Sequence, residues 1–448
     1  MSFQSPFFFV FFGGFLLIAL AATQNAPARK WWVIVLGSFV WLTGANPLAI
    51  LPLLVTTTLT WLCLQQISLR HGGQRRYWLH FGIGLNLCHL FFTPGSNLGA
   101  RLGVAFYSLQ LIAFLVDQFE ESKGSPPQFG LFLAANSAFY NITSGPLFRI
   151  ESHIAQLQKP NHLTQTILRL ALFRICWGLA KKTLGDILAD QIDFYFSSPF
   201  HPLVLTWSVV LEISAQYYLD FSGYSDIAIG VASLLGINLP ENFNLPFLAT
   251  SMAEHWQRWH ITMTEWVRDY LFQPLSMSKK LRKWSPTARA CLALFVSLLF
   301  VGVWHGPSWN NIVWGIYNAF LIFFGFLWTR KFGHFQFVGK TVLSILITFS
   351  LGALGRVLNR TESWATAMQT FNDLIDFSNE RLGSLQASQF VELTLVILVL
   401  VLTHFADWYL LRRLRSSPRL LPVVVGSYLS LTFVFLFGFW GRPFLYGL

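Results

Sequence analysis

Long apolar runs recur along the whole 448-residue chain, from Phe7 to Phe444, and no long polar stretch separates them. The runs are continuous and do not alternate between apolar and polar residues, so they predict helices and not strands. In a bilayer, unpaired backbone groups are so costly that spanning segments must be helices or closed barrels. Charged residues make up 11% of the chain, against about 25% in an average soluble domain. The sequence therefore predicts an all-α polytopic membrane protein with about 11 to 13 transmembrane helices.

The cysteines and the net charge exclude several other classes of protein. The four cysteines are scattered among apolar residues without the spacing of a metal site, so we interpret them as structural. The net charge is +11, but the basic residues stand at the ends of apolar runs. This placement is typical of a protein whose surroundings are membrane lipid, and we expect no nucleic-acid partner.

Clusters of Lys and Arg predict which loops face the cytoplasm, because cytoplasmic loops carry an excess of these residues. The clusters are Arg29–Lys30, Arg70–Arg76, Lys181–Lys182 and Lys279–Lys283. Residues 31–69 lie between the first two clusters and are long enough for a helical hairpin. One more predicted span, residues 7–22, precedes the cytoplasmic cluster Arg29–Lys30. We therefore expect the N-terminus outside the membrane.

The remaining chain divides into further spans and two unusual segments. Spans are predicted at residues 7–22, 77–92, 101–119, 128–148, 163–180, 200–219, 223–237, 290–305, 309–329, 338–358, 391–410 and 421–440. Residues 149–182 mix charged and apolar residues, as amphipathic surface helices do. Residues 240–289 are too polar to face lipid and are expected to line a cavity within the protein. Residues 359–389 are expected to form an external polar loop.

Ionisable residues inside membrane segments are costly to bury and are therefore functional candidates. They concentrate between residues 212 and 318, in three groups: Asp220–Asp226, Glu254–His260 and Trp304–Pro307. His255 and His260 are five residues apart, not the four that place two ligands on one helical face, so we expect no metal. Four charged residues lie in or just after the second group: Arg258, Glu265, Arg268 and Asp269. They predict an ion network, a phosphate-binding surface or a salt-bridged interfacial helix.

His305 is the most informative of these residues, because it closes the uncharged run Ala290–Val303. A helix that starts at Arg289 reaches roughly 24 Å by His305, at about 1.5 Å per residue. The hydrocarbon core is about 30 Å thick, so we expect His305 deep in the membrane, in its outer half. Imidazole titrates near neutrality and can accept a hydroxyl proton, which indicates a general base. The alternative is a neutral structural imidazole that bonds to a backbone carbonyl.

Several stretches together resemble the membrane-bound O-acyltransferase (MBOAT) family, in its bacterial branch of alginate O-acetylation and D-alanyl transfer proteins. The stretches are Gly103–Gln110, Asp220–Asp226, Pro240–Asn244, Arg258–His260, Trp266–Pro274 and Trp304–Gly306. The resemblance implies one domain over residues 1–448 with a signature core at about 100–320, built as a ring of helices with re-entrant segments around a central funnel. His255, Tyr317-Asn318 and the C-terminal Phe444–Leu448 depart from the family pattern.

The resemblance also implies the reaction and the site. His305 matches the catalytic histidine and His260 the second functional histidine. The residues expected at the funnel are Trp304, Asp220, Ser222, Tyr224, Asp226, Arg258, Trp259 and Asn318. An acyl group, first of all acetyl, would pass from a cytoplasmic thioester to a hydroxyl of an extracytoplasmic polysaccharide or partner protein.

The substrates and partners follow from that reaction. Acetyl-CoA or an acyl carrier protein would serve as co-substrate, held by basic residues such as Lys279–Lys283, and no bound cofactor is expected. The location would be the bacterial cytoplasmic membrane, and a hydrolase-like extracytoplasmic protein is the expected partner. The alternatives are D-alanyl transfer to teichoic acid, a transporter or flippase, and a scaffold without catalysis.

Overall fold

The fold is seen in a computed structural model. It describes residues 13–15, 27–45, 50–92, 104–121, 124–142, 144–198, 201, 203–333, 338–376, 387–409, 426–427 and 429–430. Within these ranges the regular structure is helical, and the sole β-type pairing is an isolated antiparallel bridge between Phe243 and Trp259. The predicted all-α class is confirmed. The predicted spans 7–22 and 421–440 lie almost wholly outside the described residues.

The described helices follow one another along the chain. They are α1 Pro27–Ala45, α2 Ile50–Leu69, α3 Gly72–Phe92, α4 Val104–Glu120, α5 Phe129–Ser137, α6 Ile150–Leu157, α7 Gln165–Ser197, α8 Leu203–Leu234, α9 Met252–Arg258, α10 Ile261–Val267, α11 Gln273–Ser276, α12 Pro286–Trp304, α13 Trp309–Phe332, α14 Lys340–Arg360, α15 Trp364–Asp373 and α16 Ala387–Tyr409. A π-helical turn, Arg268–Phe272, joins α10 to α11. Single 3₁₀ turns occupy Pro246–Leu248 and Lys279–Leu281.

Four of the described helices are long and apolar enough to cross a membrane: α2, α12, α13 and α14. Their mean hydropathy lies between 1.5 and 1.9. The predicted spans 290–305, 309–329 and 338–358 therefore correspond to α12, α13 and α14. The number of spans in the whole chain stays a prediction, because these four helices belong to the described residues alone.

The structure corrects the predicted spans around residues 128–237. The helix predicted at 128–148 ends at Ser137, and the predicted pair 200–219 and 223–237 is the single 32-residue helix α8. Gly223 does not break α8; it lets α8 pack closely on α7, since a Cβ there would lie 2.8 Å from the carbonyl oxygen of Gly178. Small residues are used in this way where helices meet in membranes.

Lys181 and Lys182 were predicted to mark a cytoplasmic loop, and this prediction is wrong. Both lie in the middle of the 33-residue helix α7, and each side chain is buried. Arg174 is buried on the same helix, so the prediction of amphipathic surface helices over 149–182 fails for α7. The reason is compensation by distant carboxylates: Lys181 Nζ lies 2.5 Å from Asp226 Oδ2.

The chain divides into two compact units. The first unit contains Met1–Thr183, Phe221–Glu241 and Pro418–Leu448, and the second contains Leu184–Asp220 and Asn242–Ser417. In the first unit, one apolar core includes Leu115, Phe132 and Tyr140. In the second, smaller clusters form around Leu219 and Val357. A single functional domain over residues 1–448 stays a prediction.

Candidate functional site

His305 lies in a tight turn between the spanning helices α12 and α13. It directly follows Trp304, the last residue of α12, and its backbone N–H donates to the carbonyl oxygen of Val301 at 3.1 Å. Gly306 has a φ of +134°, a conformation that favours glycine, and this lets the chain reverse at once. Ser308 then caps α13 by accepting a hydrogen bond from the N–H of Asn311. The turn fixes the position of the His305 backbone, to which the imidazole is attached.

Tryptophan rings surround His305 and connect it to His260. The His305 ring lies edge-on to Trp304, with centroids 4.7 Å apart, and to Trp314, with centroids 5.2 Å apart. Trp304 also approaches the His260 ring, with centroids 6.4 Å apart. The structure thus brings the two predicted functional histidines into one aromatic cluster of the second unit.

His260 has an unusual backbone conformation that its neighbours hold in place. It separates α9 from α10 and has a φ of +44° and a ψ of +53°, in the left-handed region. The residues around it pair with the preceding segment through the backbone. The N–H of Asn244 donates to the carbonyl oxygen of Arg258 at 2.9 Å, and the N–H of Ile261 donates to the carbonyl oxygen of Asn242 at 2.9 Å. Non-glycine residues in this conformation store strain and cluster at functional sites. The side chain of His260 is buried.

Asn318 on α13 organises the tryptophans of the cluster. Its Oδ1 accepts a hydrogen bond from the indole Nε1 of Trp256 at 3.3 Å, and its Nδ2 donates to the carbonyl oxygen of Trp314 at 2.8 Å. Trp256 and Trp314 have centroids 5.8 Å apart. Asn318 therefore contacts Trp256 and Trp314, which belong to the aromatic cluster, and its place at the funnel stays a prediction.

The charges predicted between residues 254 and 269 form local ion pairs. Arg258 donates to Glu254 through Nε at 3.0 Å and Nη2 at 2.7 Å. Partial burial pushes the pKa of Glu254 up, but hydrogen bonds from Thr250 and Arg258 outweigh it and hold that pKa below its ordinary value. Arg268 donates to its neighbour Asp269 at 2.8 Å. Of the three predicted alternatives for these charges, the contacts favour the salt-bridged helix, and a substrate contact by Arg258 stays a prediction.

Trp259, also predicted at the funnel, packs edge-on against Phe243.

The residues predicted in the stretch Asp220–Asp226 all lie on α8 and are buried. Asp220 belongs to the second unit, whereas Ser222, Tyr224 and Asp226 belong to the first.

Asp226 takes part in a buried ion network within the first unit. Arg174 binds the two oxygens of Glu241 at 2.8 and 2.7 Å, and its Nε donates to Asp226 Oδ1 at 3.0 Å. Lys181 binds the other oxygen of Asp226. A carboxylate between two buried cations has a structural role here, whatever else it contacts.

Two apolar cavities adjoin in the second unit, and the smaller leads toward the histidine turn. The wide cavity has a volume of about 600 Å³ and is lined by α9, α12 and α13, including Ala290 and Cys291. The narrow cavity, about 130 Å³, reaches Trp256, Ser297 and Val301. Val301 is the residue whose carbonyl oxygen binds His305 N–H. Phe272, Leu294 and Ile322 line both cavities.

Sequence reasoning missed two residues that support this site. Arg356 on α14 is buried, and its guanidinium contacts His255 at 3.1 Å. A charge inside the predicted span 338–358 was the available signal, but the predicted candidates lie between residues 212 and 318. Asn311, whose side chain donates to the carbonyl oxygen of Gly306, carried no signal, because an asparagine that supports a turn cannot be distinguished in sequence from any other. In the described part of the chain, no group of three or more His, Cys, Asp or Glu side chains is placed to hold a metal ion.

Comparisons with known proteins point in one direction. The profile of MBOAT, the membrane-bound O-acyltransferase family, matches residues 49–354. The chain is 29% identical over 375 residues to a Pseudomonas aeruginosa protein named "Probable alginate O-acetylase AlgI", covering 76% of this chain and 68% of that protein. It is 27% identical over 431 residues to a Helicobacter pylori "Peptidoglycan O-acetyltransferase", covering 85% and 80%. A Bacillus subtilis "Teichoic acid D-alanyltransferase" is 27% identical over 272 residues, covering 58% and 69%.

Proposed function

The chain belongs to the membrane-bound O-acyltransferase family, and from this premise we propose that it moves an acetyl group from a cytoplasmic thioester to a hydroxyl of an envelope polysaccharide or of a partner protein. The chain is a multi-pass membrane O-acyltransferase. The observation that carries the finer proposal is the position of His305, in a turn that the narrow cavity approaches through Val301.

His305 acts as the general base in this proposal. The acceptor oxygen attacks the thioester carbonyl carbon while its proton passes to the imidazole of His305. The tetrahedral intermediate then collapses, the C–S bond breaks, and the imidazolium returns the proton to the leaving thiolate. The acceptor becomes an ester and the donor a free thiol, so no other reactant is needed. Proton transfer of this kind contributes about 10²–10⁴-fold to the rate.

His260 is assigned to the same reaction centre. Its ring and that of His305 both lie next to the ring of Trp304, and we place both histidines at one substrate. We assign its N–H to the thioester carbonyl oxygen, where negative charge develops in the transition state. A preorganised donor at such a position contributes about 10²–10³-fold to kcat.

The two cavities support a path for the thioester donor. The exposed residues Lys279, Lys280, Arg282 and Lys283 precede α12, whose first residue, Pro286, lines the wide cavity. Their charges suit the phosphates of a CoA or carrier-protein arm, and the apolar cavity suits its chain. Ser297 lines the narrow cavity with a buried hydroxyl that makes no hydrogen bond within the described residues. An arm amide is a fitting partner for that hydroxyl.

The choice of acetyl over D-alanyl rests on the relatives. The two relatives named for O-acetyl transfer match 76% and 85% of this chain, whereas the teichoic acid D-alanyltransferases of Bacillus subtilis and Streptococcus thermophilus match 58% and 73%. The family match favours enzymatic acyl transfer over a transporter, a flippase or a scaffold. An extracytoplasmic hydrolase-like partner that receives or passes on the acyl group remains part of the proposal.

The test is acyl transfer by the purified full chain in liposomes, with labelled acetyl-CoA or acetyl carrier protein as the donor. His305→Ala and His305→Gln should each abolish transfer, because Gln keeps a hydrogen bond but cannot accept the proton. His71→Ala, an exposed histidine between α2 and α3, is the matched control and should be near neutral. A well-folded His305→Ala protein with a near wild-type rate would falsify the catalytic assignment.

The acyl group and acceptor need a second measurement. Mass spectrometry of envelope polysaccharides from cells with and without the protein should show loss of acetyl esters. Loss of D-alanyl esters instead would select the alternative donor.

A further inference from the structure

Arg356 is a charged residue on a spanning helix, and it contacts the segment before His260. It lies near the end of α14 and is 7% exposed. Its Nη2 lies 3.1 Å from His255 Nε2, and its Nη1 lies 3.5 Å from Ser214 Oγ. Its Cζ is 4.9 Å from the ring centroid of Trp259 and 5.2 Å from that of Phe247. A buried arginine in a membrane helix is costly, so its partners indicate a role.

The contact with Arg356 fixes the protonation of His255. A guanidinium has five N–H donors and no acceptor, so His255 Nε2 must accept. The proton of the neutral ring is then on Nδ1, which donates to the carbonyl oxygen of Pro246 at 3.1 Å. Both ring nitrogens are used, and α9 is tied through His255 to α14 and to the turn that precedes it.

Trp259 carries this anchoring to the next residue. Its ring stacks on His255, with centroids 5.7 Å apart and an interplanar angle of 21°, and its N–H donates to the His255 carbonyl oxygen at 2.8 Å. Arg356 also contacts the Trp259 ring, as a cation over an aromatic face. Trp259 is therefore held by both His255 and Arg356.

His260 follows Trp259 and has the left-handed backbone described above. A strained residue keeps its conformation when the surrounding structure determines it from several sides. The backbone pairing with Asn242 and Asn244 is one side, and the anchored Trp259 ring is the other. We propose that Arg356 and His255 form a positioning pair for the acyl-transfer reaction, which aims His260 at the substrate. This inference rests on the role assigned to His260 in the proposed function.

Substitutions at His255 isolate the contact with Arg356. The amide of Gln reaches the position of Nε2 and can accept from Arg356, whereas the shorter Asn reaches only toward Pro246. His255→Gln should therefore stay within about 3-fold of wild type, and His255→Asn should lower kcat about 10- to 100-fold, the scale of a small misplacement of a reacting group. The donor KM should not change, because the pair does not line the donor cavities.

A double-mutant cycle shows whether the pair acts through His260. Arg356→Gln should lower kcat about 10- to 100-fold, again the scale of misplacement. Once His260 has been replaced by Ala, the added Arg356→Gln should cost nothing more, because residues that act as a unit are not additive. If Arg356→Gln does not fold, the same cycle is run with His255→Asn.

The outcomes separate this inference from the function itself. Equal kcat for His255→Gln and His255→Asn, or multiplicative losses in the cycle, would overturn the positioning pair while His260 kept its role. An His260→Ala protein as active as wild type would overturn the assignment of His260, and the positioning pair with it. If Arg356→Gln or His255→Asn lowered only the thermal stability and left kcat intact in the folded fraction, the positioning pair would also be overturned.

Discussion

The side chain of Asn311 donates from Nδ2 to the carbonyl oxygen of Gly306, the residue that follows His305, at 3.2 Å. Its Oδ1 accepts from Asn359 Nδ2 at 3.0 Å, and Asn359 in turn accepts from the hydroxyl of Tyr217 at 2.9 Å. A line of polar side chains thus runs from α8 through α14 to the turn between α12 and α13. The turn that carries His305 is therefore supported by two other long helices.

Replacing Asn311 with Ala removes both of these side-chain hydrogen bonds. Each is worth about 0.5–1.5 kcal/mol, so we expect a loss of roughly 1–3 kcal/mol in the free energy of unfolding. The kcat of acyl transfer should fall about 10-fold or more, because the His305 turn is less well fixed. Asn372→Ala, at an exposed position on α15, is the control. Unchanged kcat in Asn311→Ala would show that the turn needs no such support.

Asp226→Asn should damage folding more than chemistry. It removes one charge from the buried network with Arg174 and Lys181, and breaking a buried ion pair costs about 3–5 kcal/mol. Asp117→Asn, in the more exposed pair with Arg149, should change stability by less than about 1 kcal/mol. Thermal unfolding of the two detergent-solubilised variants is the measurement. A stable Asp226→Asn protein that lacks activity would instead restore Asp226 as a substrate contact.

Ala290→Trp tests the donor path. Ala290 lines the wide cavity, and a tryptophan there would fill space that the proposed arm needs. The KM for the donor should rise about 10-fold or more. The rate with acetyl thioesters of small thiols, which lack the arm, should equal that of the wild-type protein. The rise in KM corresponds to about 1.4 kcal/mol of binding free energy. Ala288→Trp, on the same helix but outside the cavity lining, is the control. Equal donor KM in both variants would count against the path.

The predicted orientation can be tested by cysteine labelling in a variant without the four native cysteines. A cysteine at His71 should react with an impermeant thiol reagent from the cytoplasmic side alone. One at Gly95, which lies outside the described residues, should react from the outside alone. The basis is the cluster Arg70–Arg76, since such clusters mark cytoplasmic loops. The reverse pattern would invert the topology and remove the basis for a cytoplasmic donor.

The sequence was a good guide where apolar patterns and short motifs carry the information. The run that ends at His305 predicts α12 to within four residues at its start and one at its end. The motifs that contain His260, Trp304 and His305 come together in one aromatic cluster, although their separation in the chain does not require this. Which residues take part in catalysis stays a prediction.

The failures have a shared physical cause, which is pairing over long sequence distances. Lys181 and Lys182 look like a loop marker in sequence, because the carboxylate that neutralises Lys181 lies 45 residues away, at Asp226. Arg356 is stabilised by His255, about a hundred residues earlier, and by aromatic faces. No local pattern reports such partners, so buried charges on helices are the part of this fold that sequence reasoning places least well.

Phe272, Leu294 and Ile322 line both cavities, and their side chains are apolar. In the proposed function the donor and the acceptor are on opposite faces of a membrane, so the path between them must not let ions drain the transmembrane potential. An apolar constriction resists ion flow because it does not stay wetted. If the donor path narrows at these three side chains, we expect the membrane to keep its voltage whether the donor is bound or absent.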